Sequence, residues 1–426
     1  MTKLRGKLYP LALWAAGVLI GLMGTPAGAV DLKTADGAWT FSIDGNVNVH
    51  YIYSKCEDPT PAAVAVANGG GLACVGSQSG TSVSNVGNGL LPAAFTFGVA
   101  TTQGGYDLSA HLGLFPGIAT NDGGSPNLQA NGALNTALGT TGLDVRQVYM
   151  TFGNKDLGTF TFGRNFGLFG FDAIINDMTL PGVGGAGSAS GPAPANTTLG
   201  SIGLGYIYVD TLAQMDYTTP DYSGLNFTIG IFDPITALAG GAGAPAGKKA
   251  PGFHGKVAWT MPISNTMKFY GSATFISQKQ NFDTGPTTAY DYNGTGFDVF
   301  AKIDVEDLEG FAYYYHGSGL GTTGLFIRSA DAAGNTRDSD GFLVQATYKV
   351  GQVKFGVNYG ESKLDLANAN DSPTLVSKNR KVTGGIYDSL TKNLTLLAEV
   401  TDVKADAHNG NSNKSTNFNV GAFLSF

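Results

Sequence analysis

The stretch Asp144-Val-Arg-Gln-Val-Tyr-Met-Thr-Phe-Gly153 is followed by the link Asn154-Lys-Asp-Leu157 and by Gly158-Thr-Phe-Thr-Phe-Gly-Arg-Asn165. Apolar and polar residues alternate on both sides of the link, which is typical of half-buried β-strands. A long glycine-rich connection follows, and its first half, residues 166–180, is aromatic and aliphatic. Because a connection in water has no reason to be so apolar, we expect it to pack against a wall. The stretch therefore predicts two antiparallel strands and an inward-folded loop of a β-barrel.

The same alternation recurs along the chain. In residues 353–360, Phe355 and Val357 fall on one face of a predicted strand, whereas Lys354 and Asn358 fall on the other. The first face suits lipid and the second suits water. Sixteen strand candidates occur, joined by connections that are alternately long and short. The sequence therefore predicts an all-β protein, a transmembrane antiparallel β-barrel of about 16 strands with an inward-folded third loop, and closure would leave no unpaired edge in lipid.

Composition agrees with this fold. Charged residues make up only 13% of the chain, whereas glycine reaches 63 residues. A soluble domain of this size usually carries about a quarter charged residues. After residue 29, no stretch approaches the roughly 20 apolar residues of a membrane helix.

The first 29 residues describe a secretory signal peptide. A basic start with Lys3, Arg5 and Lys7 precedes the apolar stretch from Leu8 to Leu22, and a small-residue cleavage site follows. We expect cleavage before Val30, since the apolar run is short for a transmembrane anchor. The domain prediction is thus a signal peptide over residues 1–29 and a barrel over residues 30–426.

The charge of the mature chain bears on its partners. Removing residues 1–29 takes away three basic residues and no acids, which leaves a formal charge of −10 instead of the −7 of the full chain. A nucleic-acid partner would need a basic face, so none is expected. The acidic balance favours cations over anions.

Two cysteines occur, Cys56 and Cys74, both between the first two strand candidates. Export places them in an oxidising compartment, where a disulfide that closes this loop would persist. Chain-entropy reasoning gives such a bond roughly 3 kcal/mol of stabilisation. We interpret it as a loop staple without a direct function.

The organising stretch also resembles a known family. Gly158-Thr-Phe-Thr-Phe-Gly-Arg-Asn165, followed by Asn176-Asp177-Met178 and Leu180-Pro181, is similar to the general diffusion porins of Gram-negative outer membranes. The resemblance implies that residues 165–203 form the third loop, which constricts the pore, and that the protein is a homotrimer. It also implies that acids on this loop face arginines on the wall, as Asp172, Asp177 and Arg146 would here.

This sequence departs from the family in three places. Pro181-Gly182-Val183 lacks the second loop acid that the family commonly has. The second strand, Pro92-Ala-Ala-Phe-Thr-Phe97, supplies no wall arginine, and neither does the part from Tyr206 to Tyr217 of the strand predicted from Gly205 to Thr218. We therefore expect a weakly charged constriction.

Two arginines in the strands quoted first, Arg146 and Arg164, each allow two interpretations. If Tyr149 faces lipid, Arg146 faces the lumen. If Val148, Met150 and Phe152 face lipid, Arg146 would too. An arginine on the lipid face costs about 2–4 kcal/mol near mid-membrane, so we favour the first register. Arg164 could line the pore or brace the loop.

Further charged residues alternate with lipid-type residues and would line the lumen as a hydrated wall. They are Asp298, Lys302, Asp304, Lys354 and Glu399. The final strand alternates in the same way and ends on Phe426, which resembles the terminal signal by which the assembly machinery of outer-membrane barrels recognises its clients.

Signatures of enzymes and cofactors are weak. The spacing Gly182-Val-Gly184-Gly-Ala-Gly187 fits a dinucleotide motif, but proline precedes it and no helix-forming run follows. The five histidines show no metal-ligand spacing. We expect no enzyme activity, cofactor or metal site.

The sequence thus predicts an outer-membrane porin, a water-filled channel for passive diffusion of small hydrophilic solutes and ions with a weak cation preference. Its expected surroundings are outer-membrane lipid and lipopolysaccharide. Two alternatives stay open: a substrate-selective channel, and a plugged barrel that acts as a surface adhesin or an enzyme.

Overall fold

The computed structural model describes residues 30–56, 61–74, 82–118, 143–187, 197–236, 244–245, 248–283 and 289–426. The predicted signal peptide lies outside these residues, as do residues 188–196 of the predicted constriction loop.

Almost all regular structure is β-strand. The elements are β1 (Val30–Lys33), β2 (Thr40–Cys56), α1 (Pro61–Asn68), β3 (Ser82–Gly87), β4 (Ala94–Gln103), β5 (Tyr106–Pro116), β6 (Leu143–Asn154), β7 (Gly158–Phe166), α2 (Phe171–Asn176), β8 (Thr211–Thr218), β9 (Leu225–Phe232), β10 (Ala244–Pro245), β11 (Gly252–Pro262), β12 (Met267–Asp283), β13 (Ala289–Val305), β14 (Leu308–Ser318), β15 (Asp338–Val350), β16 (Val353–Leu364), β17 (Val376–Ser389), β18 (Leu394–Ala407) and β19 (Ser412–Ser425). Among the described residues, no helix has both the length and the hydropathy to cross a membrane.

The strands form one closed antiparallel sheet. Each wall strand pairs with its neighbour along the chain, and β19 pairs with β2 from Ser415↔Cys56 to Ser425↔Asn46, which closes the ring. With the short strands β1, β3 and β10 set aside, sixteen strands make the wall. The predicted all-β barrel of 16 strands is confirmed.

The second wall strand is broken in two. Residues Thr40–Asn46 of β2 pair with β4, whereas His50–Lys55 pair with β3. Between these halves, the amide of Asn48 donates to the carbonyls of Leu91 and Pro92 at 3.0 and 3.2 Å. β4 begins at Ala94, so the second predicted strand starts two residues later than Pro92, because the side chain of Asn48 takes the hydrogen bonds that a strand partner would have made.

Alternate residues of the wall strands point to opposite faces. Phe355 and Val357 are 47% and 52% exposed on the outside, whereas Asn358, the next residue after Val357, is 1% exposed. This arrangement places apolar side chains where lipid lies and polar ones on the inner face.

Strand β6 combines features of both registers predicted for Arg146. Arg146 and Tyr149 are 6% and 5% exposed on the inner face, and Val148 is 49% exposed on the outer face. The register between β5 and β6 shifts between Gly113 and Phe115, so that one extra residue of β6 forms a bulge. A bulge changes the face to which later residues point. Arg146 thus lies on the inner face as expected, but the prediction that Tyr149 faces lipid is wrong.

A large apolar cluster contains residues of the wall strands and of the connection between β7 and β8. It joins Phe169, Leu180 and Tyr206, from the connection between β7 and β8, to inner-face residues such as Phe300 and Leu343. Tyr206 is fully buried in this cluster, and residues 205–210, predicted as part of a strand, precede β8, which begins only at Thr211. Tertiary packing overrides the alternation pattern here.

Candidate functional site

The connection between β7 and β8, residues 167–210, makes polar contacts with many wall strands, and we call it the β7–β8 segment. Its helix α2 follows Gly170, whose φ of 78° is readily adopted only by glycine. The backbone N–H of Gly170 donates to Oδ2 of Asp298 on β13 at 2.7 Å. Asp298 is 3% exposed, so this predicted lumen residue is an anchor for the segment.

Asp172, in the first turn of α2, forms a buried ion pair. Lys256 Nζ on β11 lies 2.6 Å from Asp172 Oδ2, and the side chains are 11% and 6% exposed. Tyr270 OH donates to the same carboxylate at 3.1 Å, and the hydroxyl of Ser272 also donates to it. The charge of Asp172 is therefore compensated locally.

The end of α2 is tied to β13 and β15. Gln345 Nε2 donates to the carbonyl of Asn176 at 2.8 Å, and its Oε1 accepts the N–H of Met178 at 2.7 Å. Lys302 Nζ donates to Asn176 Oδ1 at 3.2 Å. Lys302, predicted as a lumen residue, thus contacts the segment directly.

Asp177 accepts hydrogen bonds from both the segment and the wall. The N–H and hydroxyl of Thr179 donate to Oδ1 at 3.0 and 2.8 Å. Asn358 on β16 donates to the same oxygen, and Tyr206 OH donates to Oδ2, each at 3.1 Å. Burial, and then the nearby carboxylate of Asp177, raise the pKa of Tyr206 well above its ordinary value. Tyr206 therefore stays a neutral donor to Asp177.

Glu399 on β18 holds the middle of the segment. Its Oε2 accepts the N–H groups of Val183 and Gly184 at 2.9 Å each. Tyr387 OH donates to Oε1 at 2.7 Å and Asn419 donates to Oε2 at 3.0 Å. With four donors and 1% exposure, this carboxylate is a structural clamp, whereas the sequence suggested a hydrated wall.

The segment also contacts the break between β3 and β4. Leu90 N–H donates to the carbonyl of Gly182 at 2.7 Å, and Thr198 N–H donates to that of Gly89 at 2.9 Å. The broken wall strand thus supplies backbone partners for the segment.

Arg146 lies beside the end of the segment. Its Nε is 2.6 Å from Asp144 Oδ2, and its Nη1 donates to Tyr208 OH at 3.5 Å. The ring of Phe115 lies 5.5 Å below the guanidinium. Asp172, Asp177 and Arg146 therefore all contact the segment or belong to it, and both Asp172 and Arg146 are ion-paired.

Arg164 is placed differently. It lies opposite Val148 across β6–β7 and opposite Ala213 across β7–β8, and both partners are exposed on the outside. Directly opposed residues share a face, so the pore-lining interpretation of Arg164 is wrong. The attraction between Arg164 and the carboxylate of Asp210 supports the bracing alternative. Desolvation raises the pKa of this half-buried carboxyl.

Two wall lysines complete the inner charge pattern. Lys354 Nζ lies 5.4 Å from the centre of the Tyr387 ring. Lys381 is 1% exposed and donates to Thr383 Oγ1 at 3.3 Å. Lys256 and Lys381 are not among the predicted site residues, because the family resemblance points to arginines on the wall. Alternation with exposed Trp259 and Val382 nevertheless marks both lysines as inward-facing.

The cysteine pair lies at the loop side of the barrel. Cys56 and Cys74 form a disulfide with Cα atoms 5.4 Å apart. Next to it, Leu72 N–H donates to Asn379 Oδ1 at 2.9 Å, and Ser415 Oγ donates to Ala73 O at 2.6 Å. The apolar residues of this loop pack on Leu204 of the β7–β8 segment and on the inner face of β18.

Phe426 lies at the seam of the ring. Its backbone exchanges two hydrogen bonds with Gly45, at 3.0 and 3.1 Å, and its ring packs 5.5 Å from that of Phe95. Among the described residues, no group of three or more His, Cys, Asp or Glu side chains could hold a metal ion.

A closed antiparallel barrel with an apolar outer face and a polar inner face defines the class of outer-membrane channel proteins. The chain belongs to the Gram-negative porin family, whose model matches residues 15–423. It is therefore a porin of the outer membrane. No curated protein sequence matches it significantly.

Solved structures show the same fold. The outer-membrane channel DcaP of Acinetobacter baumannii is 15% identical with a TM-score of 0.62, covering 93% of this chain and 99% of that one. OmpF of Salmonella typhi, in complex with daunomycin, is 14% identical with a TM-score of 0.55, covering 93% and 100%. OprB of Pseudomonas putida is 11% identical with a TM-score of 0.54, covering 92% and 95%. At these identities the likeness concerns the fold alone.

Proposed function

We propose that the protein is a water-filled channel for passive diffusion of small hydrophilic solutes and ions, and that residues 165–203 form its constriction. The observation that carries this proposal is the set of wall partners of the β7–β8 segment. The segment leaves from β7 and returns at β8, yet it binds inner-face side chains of β11, β13, β15, β16 and β18.

The faces of these strands support an inward course. Asp298 lies between Phe297 and Val299, which are 47% and 42% exposed outside, and Glu399 precedes Val400, which is 51% exposed. A segment outside the ring would meet those apolar side chains instead. Contacts with inner-face residues across the ring are what a loop inside the lumen would make.

The charges support weak ion selectivity. Because Asp172 is paired with Lys256 and Arg146 with Asp144, neither pair leaves a net charge at the constriction. The formal charge of −10 that remains after residues 1–29 are removed then gives a slight preference for cations. Selectivity in such channels follows the charge at the narrowest point.

Planar-bilayer recording of the purified protein tests this proposal. We expect stepwise openings and a small reversal potential of cation sign under a salt gradient. Lys256→Gln would release Asp172 and move the reversal potential further toward cations, whereas Lys155→Gln, in an exposed turn with its own partner Asp156, would leave it unchanged. An anion-selective wild-type channel would refute the cation preference.

The apolar cluster that joins the β7–β8 segment to the wall strands favours a second candidate, a barrel whose lumen is plugged. Phe169, Tyr206 and Phe326 of this cluster are all at most 1% exposed. A folded protein that stays silent in the bilayer would support the plugged barrel, with a role as an adhesin or an enzyme. Uptake of one solute faster than of others matched in size would instead identify a substrate-selective channel.

We also propose partners for the channel. Homotrimer assembly, contact with lipopolysaccharide and recognition of Phe426 by the barrel-assembly machinery follow from the family. Openings in groups of three would support the trimer. Loss of membrane insertion in a variant that lacks Phe426 would support the assembly signal.

A further inference from the structure

The connection between β14 and β15, residues 319–337, has a buried first part and an exposed second part. Leu320 and Phe326 are both 0% exposed, whereas the alanines at positions 332 and 333 are exposed. We call residues 319–330 the β14–β15 arm. Connections usually run over the surface in contact with water, so an arm that buries a leucine and a phenylalanine completely must pack against other parts of the protein.

The arm packs on the inner face of β13. The ring of Phe326 lies against Gly294, and a Cβ atom at this glycine would overlap the ring. The side chain of Leu320 lies against Gly296 in the same way. Both glycines share a face with Asp298, since residues two or four apart on a strand point to the same side. The two glycines thus leave room on the inner face, and the arm fills it.

A second contact joins the arm to the β7–β8 segment. The backbone N–H of Tyr208 donates to the carbonyl of Thr323 at 2.9 Å, and Tyr208 pairs with Gly324 in an isolated parallel bridge. Phe326 also belongs to the apolar cluster that contains Tyr206 of the segment. The arm therefore contacts both the inner wall and the segment that we propose as the constriction.

The backbone of the arm is held in an unfavourable conformation. Phe326 and Arg328 have φ angles of 65° and 57°, in the left-handed region that residues other than glycine rarely adopt. Arg337 Nη1 donates to the carbonyls of Arg328 and Ala330 at 3.0 and 2.7 Å, and Arg328 Nη2 donates to the carbonyl of Asn68 at 3.1 Å. Such a backbone persists only where its surroundings fix it. Contacts with other elements, and not local preference, therefore keep the arm in this position.

We propose that the β14–β15 arm is a second constriction element, which occupies the lumen beside β13 and, together with the β7–β8 segment, sets the largest solute that passes; this rests on the proposed function of a diffusion channel. The side chains that fill the room at Gly294 and Gly296 are apolar. The arm therefore excludes hydrophilic solutes by its volume and not by its charge.

The rate at which proteoliposomes swell in sugars of increasing size tests the proposal. In one variant the short link Gly-Gly-Ser replaces residues 320–329. We expect uptake of a tetrasaccharide, relative to that of a monosaccharide, to rise severalfold, because the room beside β13 becomes part of the passage. The control Ala332→Ser/Ala333→Ser changes the exposed part of the same connection and should keep the wild-type ratio.

A second variant keeps the chain length, in case the shortened protein does not fold into a heat-modifiable barrel. Leu320→Ala/Phe326→Ala removes the side chains that lie against the glycines of β13. It should raise the same uptake ratio by a smaller factor and leave the reversal potential under a salt gradient unchanged, since it alters volume and no charge.

The position of the arm is tested without any transport measurement. Because Tyr208 and Gly324 are bridge partners, Tyr208→Cys/Gly324→Cys brings two cysteines within the distance that a disulfide spans. We expect this pair to cross-link on mild oxidation, as detected in the masses of the digested protein. The matched pair Tyr208→Cys/Ala333→Cys should stay reduced.

The outcomes separate this proposal from the channel function itself. Absence of the cross-link, or an unchanged uptake ratio in both arm variants of a conducting protein, would overturn the second constriction and leave the diffusion channel standing. A silent wild type with a conducting shortened variant would support the arm as the element that limits passage and refute passive diffusion through the native protein. A shortened variant as silent as the wild type would overturn both.

Discussion

Glu399 accepts the backbone N–H of Val183, 2.9 Å from its Oε2, although the two residues are 216 positions apart in the chain. The same oxygen accepts the N–H of Gly184. One carboxylate on β18 thus fixes the middle of a segment that begins at β7. Since hydrogen bonds to a charged group contribute about 1.5–3 kcal/mol each, this clamp is expected to control how rigid the segment is.

The first prediction concerns this clamp. Glu399→Gln keeps the size of the side chain but replaces a charged acceptor of four hydrogen bonds with a neutral amide that has one acceptor oxygen. We expect the β7–β8 segment to fluctuate, which would appear as increased open-channel current noise in bilayer recordings. Asp156→Asn, in an exposed turn, is the control and should leave the current noise unchanged. Noise equal to wild type would show that the clamp is dispensable.

The second prediction concerns the buried pair of Asp172 and Lys256. Asp172→Asn leaves Lys256 buried without its counter-charge, and removing one partner of such a pair costs about 3–5 kcal/mol. We expect Asp172→Asn/Lys256→Met to be more stable than Asp172→Asn alone. The measurement is a double-mutant cycle on denaturant-induced unfolding of the detergent-solubilised protein. Strictly additive effects would mean that the two charges do not interact.

The third prediction concerns the disulfide. Because the loop ending at Cys74 packs on Leu204, cutting the Cys56–Cys74 bond should loosen both that loop and the β7–β8 segment. For the 18-residue separation, chain entropy gives a destabilisation of roughly 3 kcal/mol. We expect Cys56→Ser/Cys74→Ser to unfold at a lower temperature and to conduct at least as well as wild type. A reduced conductance would show that the bond keeps the mouth open.

The fourth prediction concerns pH and the pair of Arg337 and Asp371. Arg337 Nε and Nη2 lie 2.6 and 2.8 Å from the carboxylate oxygens of Asp371. Hydrogen bonds from Arg337 lower the pKa of Asp371 to about 2. A lowered pKa stabilises the folded loops above the unfolded value of about 3.9, and this contribution is lost as the pH falls toward 2.

We therefore expect cleavage of residues 319–337 by pepsin to increase as the pH falls from about 4 toward 2. Arg337→Gln removes the donor and should make cleavage equally fast across this range, after correction for the pH dependence of pepsin on a peptide substrate. A wild-type loop whose protection does not change with pH would contradict the prediction.

The sequence by itself determined the barrel. Alternation along strands such as β16, where Phe355 and Val357 lie on the face opposite Asn358, is a local property with a period of two residues. Because backbone N–H and C=O groups in lipid need hydrogen-bond partners, such strands can cross a membrane only as a closed barrel. It also indicated which connection is apolar, because residues 166–180 carry their own aromatic and aliphatic side chains.

Tertiary structure decided the register of β6 and the partners of each charge. A bulge opposite Gly113–Phe115 turns both Arg146 and Tyr149 inward, and strict alternation has no means of predicting one extra residue. Likewise, Lys256 meets Asp172 across 84 positions. Such a pairing depends on which wall strands the segment contacts, and this is set by long-range packing that no local pattern records.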